Sequence, residues 1–211
     1  MHFAEIAEQR RAVNFFDPAR PVPQELLRRM VEMAAHAPSS YNLQPWSLVV
    51  LTGPEEKMKL RKLAMDQPKI TEAPAVLMVL GDRDAWRPGH PFAEKDFAQF
   101  VAAGLMQPGQ HEWFGKACTN LYGSSPEFSH AFAVKNAAFF AMSLMYAAKE
   151  LGLDTHPMDG FRHHEVREAF GIPENYWIPC LIAVGYFDRA KTLPPAKWRK
   201  GYDEIVVSFG K

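Results

Sequence analysis

The spacing of apolar residues changes repeatedly along the chain, and each change marks an element. Residues 3–10 have the period of a short amphipathic helix, which then meets "RRAVNFFDPARPVP", whose three prolines force an extended segment. From Pro23 to about His36, Leu26, Leu27, Met30, Val31 and Ala34 recur in steps of three and four, predicting a second helix with Pro23 in its first turn. "WSLVVLT" (46–52) reads as a buried strand, and "GPEEKMKLRKLA" as a helix with proline and two glutamates at its positive end. "APAVLMVLGD" (73–82) is a second buried strand. A helix over about 93–106 is followed by a break at "PGQ" and a further helical turn before "GSSP". The run 129–151 is apolar on nearly every face and ends at Gly152, which suits a helical C′ position. Such a helix has to be covered on all sides, by its own sheet or with the help of a second subunit. A short strand at 154–157, a helix at 163–170 ended by Gly171 and Pro173, and the strand "IPCLIAVGYF" (178–187) follow. The tail from Lys191 reads as extended, ending in a strand-like "EIVVSF".

Helices and strands alternate without a regular βαβ repeat, which predicts an α+β fold, a mixed, largely antiparallel sheet flanked by helices. The 211 residues suffice for one substantial core and contain no evident linker, so 1–211 is read as a single domain. With a formal charge of zero and scattered basic residues, the chain lacks the basic excess that nucleic acid demands. Two cysteines without a CxxC pair argue against both a disulfide framework and a zinc site, and a reducing cytoplasm is the expected compartment. The N-terminal residues carry acids and no apolar signal region. Lys135, Asn136 and Ser143 interrupt the apolar run 131–148, so it reads as a core helix rather than a membrane span.

Common catalytic signatures are absent: no GxGxxG after a strand, no GxxxxGK[ST], no HExxH and no GxSxG. His163 and His164 are adjacent, cannot chelate one metal as an i, i+4 pair can, and read as exposed. Cys180 reads as strand packing. More informative is "APSSYNLQPW" (37–46), where Ser39, Ser40, Asn42 and Gln44 offer uncharged donors and acceptors in a frame stiffened by Pro38 and Pro45. That suits a neutral, planar ligand rich in heteroatoms, although a capped turn would use the same residues. Arg10 and Arg11 near one end, and Lys197 and Arg199 on one side of the extended tail, could converge on a phosphate or lie solvated on the surface.

"RRAVNFF", "APSSYNLQPW", "DQPKITEAPAVLMV", "AMSLMYAAKELGLDTHPMDGF", "IPCLIAVGY" and "PPAKWR", in this order and spacing, resemble the nitroreductase family of FMN enzymes. The likeness covers nearly the whole chain and is weakest over 85–128. It implies an intertwined homodimer with an FMN at each of two interface sites and a C-terminal tail reaching the partner. On this resemblance Arg10, Arg11, Lys197 and Arg199 would hold the FMN phosphate, arginine forks matching its oxygens. Pro38, Ser39, Ser40 and Asn42 would come from the other subunit, against the ring and its ribityl chain. Lys69 would face N1 and the C2 carbonyl as an electrostatic stabiliser, with Asp66 beside it at the pyrimidine edge. Pro157, Met158, Asp159 and Gly160 would run along the ring, with a backbone N–H of Asp159 or Gly160 directed at N5.

Ala12 and Asn14 stand where the family commonly has a serine and a cation, and Asp66 where an asparagine is common, which implies a less electron-hungry flavin. The resemblance further implies hydride transfer from NADH or NADPH, then delivery of electrons to a nitroaromatic, quinone or similar planar acceptor by a ping-pong mechanism at one shared site. No side-chain acid or base and no metal is required. Trp86, Phe92, Phe97, Phe100, Trp113 and Phe114 are candidates for a lid over that site, or for core. A dehalogenating or flavin-consuming relative, a non-catalytic FMN store or sensor, and a flavin-free structural protein are the competing readings.

Overall fold

The computed structural model describes residues 2–209; Met1, Gly210 and Lys211, at the ends of the domain expected over 1–211, lie outside them. The elements run α1 (Phe3–Gln9), α2 (Gln24–Ala34), β1 (Trp46–Leu51), α3 (Pro54–Leu63), α4 (Lys69–Glu72), β2 (Ala75–Asp82), α5 (Pro91–Ala102), α6 (His111–Tyr122), α7 (Pro126–Glu150), β3 (Asp154–Met158), α8 (His163–Ala169), β4 (Tyr176–Gly185) and α9 (Tyr202–Ile205). The strands form one sheet in the order β1-β2-β4-β3, every neighbouring pair antiparallel.

Strand β2 takes the centre because it is apolar on both faces, and all of its residues are buried. Its side chains alternate between two helical layers. Ala75, Leu77 and Val79 pack with Leu27 and Met30 of α2 and Phe140 and Leu144 of α7. Val76, Met78 and Leu80 pack on the other face with Leu60 of α3, Ile70 of α4 and Val166 of α8. Gly81 lets α7 lie this close, since a Cβ there would sit 2.8 Å from the Ala133 carbonyl oxygen.

The edge of β3 is covered by the extended segment after α1. Ala12 bridges Thr155 in parallel, Val13 N–H donates to the Thr155 oxygen at 3.1 Å, and Phe16 bridges Phe187. Val13 and Phe16 are buried, while Ala12 and Asn14 on either side of Val13 face outward. This edge, dressed by a segment from the start of the chain, is where the candidate site forms.

Several expectations need correction. β1 is an edge strand, only half buried, with Val50 exposed, because its apolar run pairs with β2 on one side alone. The turn expected after "PGQ" is the full helix α6, whose Phe114 and Cys118 fill a third cluster with Trp86, Phe97 and Phe132. Trp86, Phe97 and Phe114 are therefore core, and Phe100 packs against them, whereas Phe92 and Trp113 are exposed. The strand expected at "EIVVSF" is not formed: Glu204 and Ile205 belong to α9, and Glu204 accepts from the Gly201 N–H at 2.9 Å. α7 is long and apolar enough to cross a membrane by length and composition, yet 56% of its most apolar window is buried within the chain.

His163 is not the exposed residue expected. Its ring stacks on Trp177 with centroids 3.6 Å apart, and Nε2 accepts from the Ile178 N–H at 2.9 Å. Because Nε2 accepts, Nδ1 carries the proton, and it is buried without a partner. Burial first, then His164, Arg167, His130 and Arg83, lowers its pKa to about 4. The folded state thus favours the neutral ring, and stability present above about pH 6.5 is lost as the pH falls through 6.5 toward 4. Thermal melts at pH 7 and pH 5 should show a loss on the order of 1–2 kcal/mol after allowance for partial solvent screening. His163→Gln, which still accepts from Ile178 but does not titrate, should show a smaller loss; an equal loss would exclude His163 as its source.

Candidate functional site

Both ends of the chain meet at the β3 edge. A cavity of about 550 Å³ is walled by α1, the segment after it, α4, β3 and the tail, and is lined by Arg10, Arg11, Ala12, Asn14, Lys69, His156, Lys197 and Arg199. Five of these are cations, and among the described residues Glu8 is the one acid in the lining. The backbone explains the convergence: pairing with Thr155 holds residues 10–14 against β3, while Arg11 donates from its guanidinium to the Pro194 oxygen and ties down the tail. Arg199 bonds the oxygens of Lys197 (3.2 Å) and Trp198 (2.9 Å). Among the described residues none of Arg10, Arg11, Lys197 and Arg199 is ion-paired. Five like charges gathered with a single carboxylate in the lining repel one another, an arrangement stabilised by an anionic ligand.

Lys69 begins the short helix α4, whose end is fixed by Lys57: this buried ammonium donates to the Ala73 oxygen at 2.6 Å and the Thr71 oxygen at 3.5 Å. The Lys69 Nζ lies 3.3 Å from His156 Nε2 and 3.5 Å from Gln67 Oε1. Burial lowers the Lys69 pKa, and Glu72 opposes that shift. Gln67 spends both amide protons on the oxygens of Ala64 (3.1 Å) and Gly160 (2.9 Å), joining α4 to the turn after β3. Asp66 is turned elsewhere: it pairs with Arg61 at 2.7 Å, its side chain is 81% exposed, and it does not line the cavity.

Pro157, Met158, Asp159 and Gly160 continue β3 past His156 and likewise stand outside that lining. Met158 is buried, and a Cβ on Gly160 would meet Met65 Sδ at 3.3 Å and Gln67 Nε2 at 3.4 Å. A side chain at 160 would press on the amide that braces Lys69.

Residues 38–44 lie outside the cavity of the same chain. Tyr41, Asn42 and Gln44 have φ of 49°, 56° and 44°, left-handed conformations that cost about 1 kcal/mol each outside glycine. Hydrogen bonds hold the loop in this shape. Ser40 donates from N–H and Oγ to the buried Asn136 Oδ1 (3.0 and 3.4 Å), Gln44 N–H donates to Ser39 Oγ (3.0 Å), and Asn42 Nδ2 donates to Asp96 Oδ1 (3.0 Å). Pro38, Asn42 and Gln44 remain exposed.

The same folding pattern occurs in other chains of known sequence and structure. A profile of the nitroreductase family matches residues 7–186. This chain belongs to the nitroreductase family. It is 30% identical over 205 residues, 97% of each chain, to MhqN of Bacillus subtilis (strain 168), provisionally named an NAD(P)H nitroreductase. It is 34% identical over 167 residues to a protein named NADH dehydrogenase from Thermus thermophilus, covering 79% of this chain and 78% of that one. A nitroreductase of Exiguobacterium sibiricum, assigned provisionally and solved in complex with FMN, superposes with a TM-score of 0.83 at 26% identity over 99% of this chain and 97% of that one.

Two residues that sequence reasoning passed over are His156, which lines the cavity, and Gln67, which stands beside Lys69. Gln67 neighbours Asp66, the position singled out by resemblance, and nothing local says which of the two faces the turn after β3. For His156 a partial signal existed: it lies on the short strand expected at 154–157, whose alternate side chains face opposite ways. The cysteines take no part, since burial pushes Cys118 up to about 11 and Cys180 up to about 12, far from the thiolate form.

Proposed function

We propose that this nitroreductase-family chain is an FMN-dependent oxidoreductase. NADH or NADPH supplies the hydride, and a nitroaromatic, quinone or similar planar acceptor takes the electrons at the same site in ping-pong alternation. One observation carries the reading: four cations from opposite ends of the chain share a cavity with no ion-paired carboxylate among the described residues. Their chemistry fits a phosphate monoester, whose dianion pairs with arginine forks and a lysine point charge. The cavity volume falls in the range usual for cofactor sites. When bound, FMN supplies N5, which accepts the hydride and from which two electrons later pass to the acceptor.

The residues of the chain have simpler tasks. Arg10, Arg11, Lys197 and Arg199 bind the phosphate, and Lys69 places positive charge where the pyrimidine edge gains negative charge. Ala12 and Asn14 line the cavity without adding charge, consistent with a low flavin potential. Asp66, paired to Arg61, is a weaker candidate for the ring edge than Gln67. Pro157, Met158, Asp159 and Gly160, outside the cavity lining of the single chain, are assigned to the border of the ring by resemblance to the family. Pro38, Ser39, Ser40 and Asn42 of one protomer cover the ring held by its partner, the loop being preformed by its own hydrogen bonds.

The homodimer is supported by apolar surface that a single chain leaves open. Phe128 and Phe139 of α7 are 57% and 45% exposed, and on the tail Trp198, Tyr202, Ile205 and Phe209 are exposed in succession. Sedimentation of the purified protein should therefore give twice the chain mass of 23.9 kDa. The enzyme is expected to work in the cytoplasm, without nucleic acid or membrane.

The test is stopped-flow reduction of the FMN-loaded protein. Loss of the flavin absorbance at ~450 nm within seconds of adding NADH or NADPH, and its return on adding a quinone, is the expected result. A yellow protein inert to both nicotinamides would be a flavin store, and the enzymatic reading would fall.

A further inference from the structure

His156 touches two fixed groups. Its Nδ1 lies 2.8 Å from the Val13 carbonyl oxygen, which can only accept, so Nδ1 carries the proton. Nε2 is then a lone pair, 3.3 Å from the Lys69 ammonium, which can only donate. The tautomer and both bonds follow from the partners rather than from an assigned proton position. We propose that His156 is a positioning residue, whose neutral imidazole, anchored to Val13, holds the Lys69 ammonium at the wall of the cavity. Gln67 Oε1, at 3.5 Å, supplies only a weak second acceptor.

The anchor comes from the same segment that places Arg10 and Arg11. Val13 both donates to Thr155 and accepts from His156, so displacement of that segment would disturb the phosphate cations and Lys69 together. Protonation of His156 would remove the acceptor and set two cations 3.3 Å apart. The charged groups around it are Lys69 with Glu72 behind it from α4, Glu8 from α1, Arg10 and Arg11, and Lys197 and Arg199 from the tail. Asp154, on the same strand, is engaged by Lys149 at 3.3 Å, and β4 presents Ala183 opposite His156. Burial, then Lys69, accordingly lowers the imidazole pKa, against the bond to Val13.

The functional consequence rests on the FMN reading above: an ammonium held at the pyrimidine edge favours reduced over oxidised FMN, and His156 acts through it. Two measurements separate the two claims. In flavin-free protein, nitrogen-15 NMR of the His156 ring should show the Nδ1–H tautomer, titrating below free imidazole, with the pKa rising in Lys69→Met. An Nε2–H tautomer, or a pKa indifferent to Lys69→Met, would overturn the proposal whether or not FMN binds.

In FMN-loaded protein, His156→Leu should reduce the preference for reduced FMN about tenfold, a fall of about 30 mV for a two-electron couple. His156→Gln, which keeps a donor and an acceptor, should stay within about threefold of the parent. In the Lys69→Met background His156→Leu should shift nothing further. An unchanged potential in His156→Leu, or an equal shift in both backgrounds, would contradict positioning through Lys69. Failure of the protein to bind FMN would remove the cofactor reading alone, leaving the NMR result to decide the tie between His156 and Lys69.

Discussion

Replacing Lys197 and Arg199 together by alanine should weaken FMN binding by ~2–5 kcal/mol, about 30- to 4,000-fold, measured by quenching of flavin fluorescence. The size follows from what is left behind. Arg10 and Arg11 remain on the β3 edge, but half of the phosphate's charge partners leave with the tail. Both mutated side chains are exposed and bond no other side chain among the described residues, so the fold should be unaffected. The loss should also shrink as salt rises, because what is removed is charge attraction. FMN retention equal to that of the parent would place the phosphate elsewhere.

Asn136→Leu should cost about 2 kcal/mol in stability, a fall of about 4–8 °C in the melting temperature, and should weaken FMN binding as well. Asn136 is fully buried in α7; it donates to the Phe132 oxygen at 2.7 Å and accepts from the Ser40 N–H at 3.0 Å. Leucine fits the space but strands the Ser40 N–H and releases the left-handed loop from the helix. The strain at Tyr41, Asn42 and Gln44 then relaxes, and residues 38–42 lose the shape proposed to cover the partner's cofactor. A variant that melts early yet binds FMN like the parent would limit Asn136 to folding and remove the loop from the site.

Most long elements were legible because their apolar period is local information. β2 and α7 are apolar runs whose burial follows from composition, and α2 from its steps of three and four. What escaped depends on neighbours. β1 and β2 look alike as runs, but only pairing order makes β1 an edge. α4 has four residues, too few for any period, and its bracing by Lys57 comes from another helix. Ile205, Val206 and Val207 at and beyond the end of α9 favour a strand, yet no partner strand lies beside them among the described residues, so a capped turn forms instead.

The site divides in the same way. Arg10, Arg11, Lys197 and Arg199 were picked out as basic pairs that could converge on a phosphate and Lys69 by resemblance, and all five line one cavity. Asp66 was picked out by the same means, but Arg61, on the preceding helix, draws its carboxylate away. His156 and Gln67 were overlooked because their roles arise from contacts with Val13, Lys69 and Gly160, none of which a local pattern encodes.

The account stands most directly on a comparison of FMN with riboflavin, which differ by the phosphate alone, titrated into flavin-free protein. It predicts one FMN per chain, with riboflavin at least about 100-fold weaker, the equivalent of about 2.8 kcal/mol. Equal affinity for the two, or no binding of either, would contradict it.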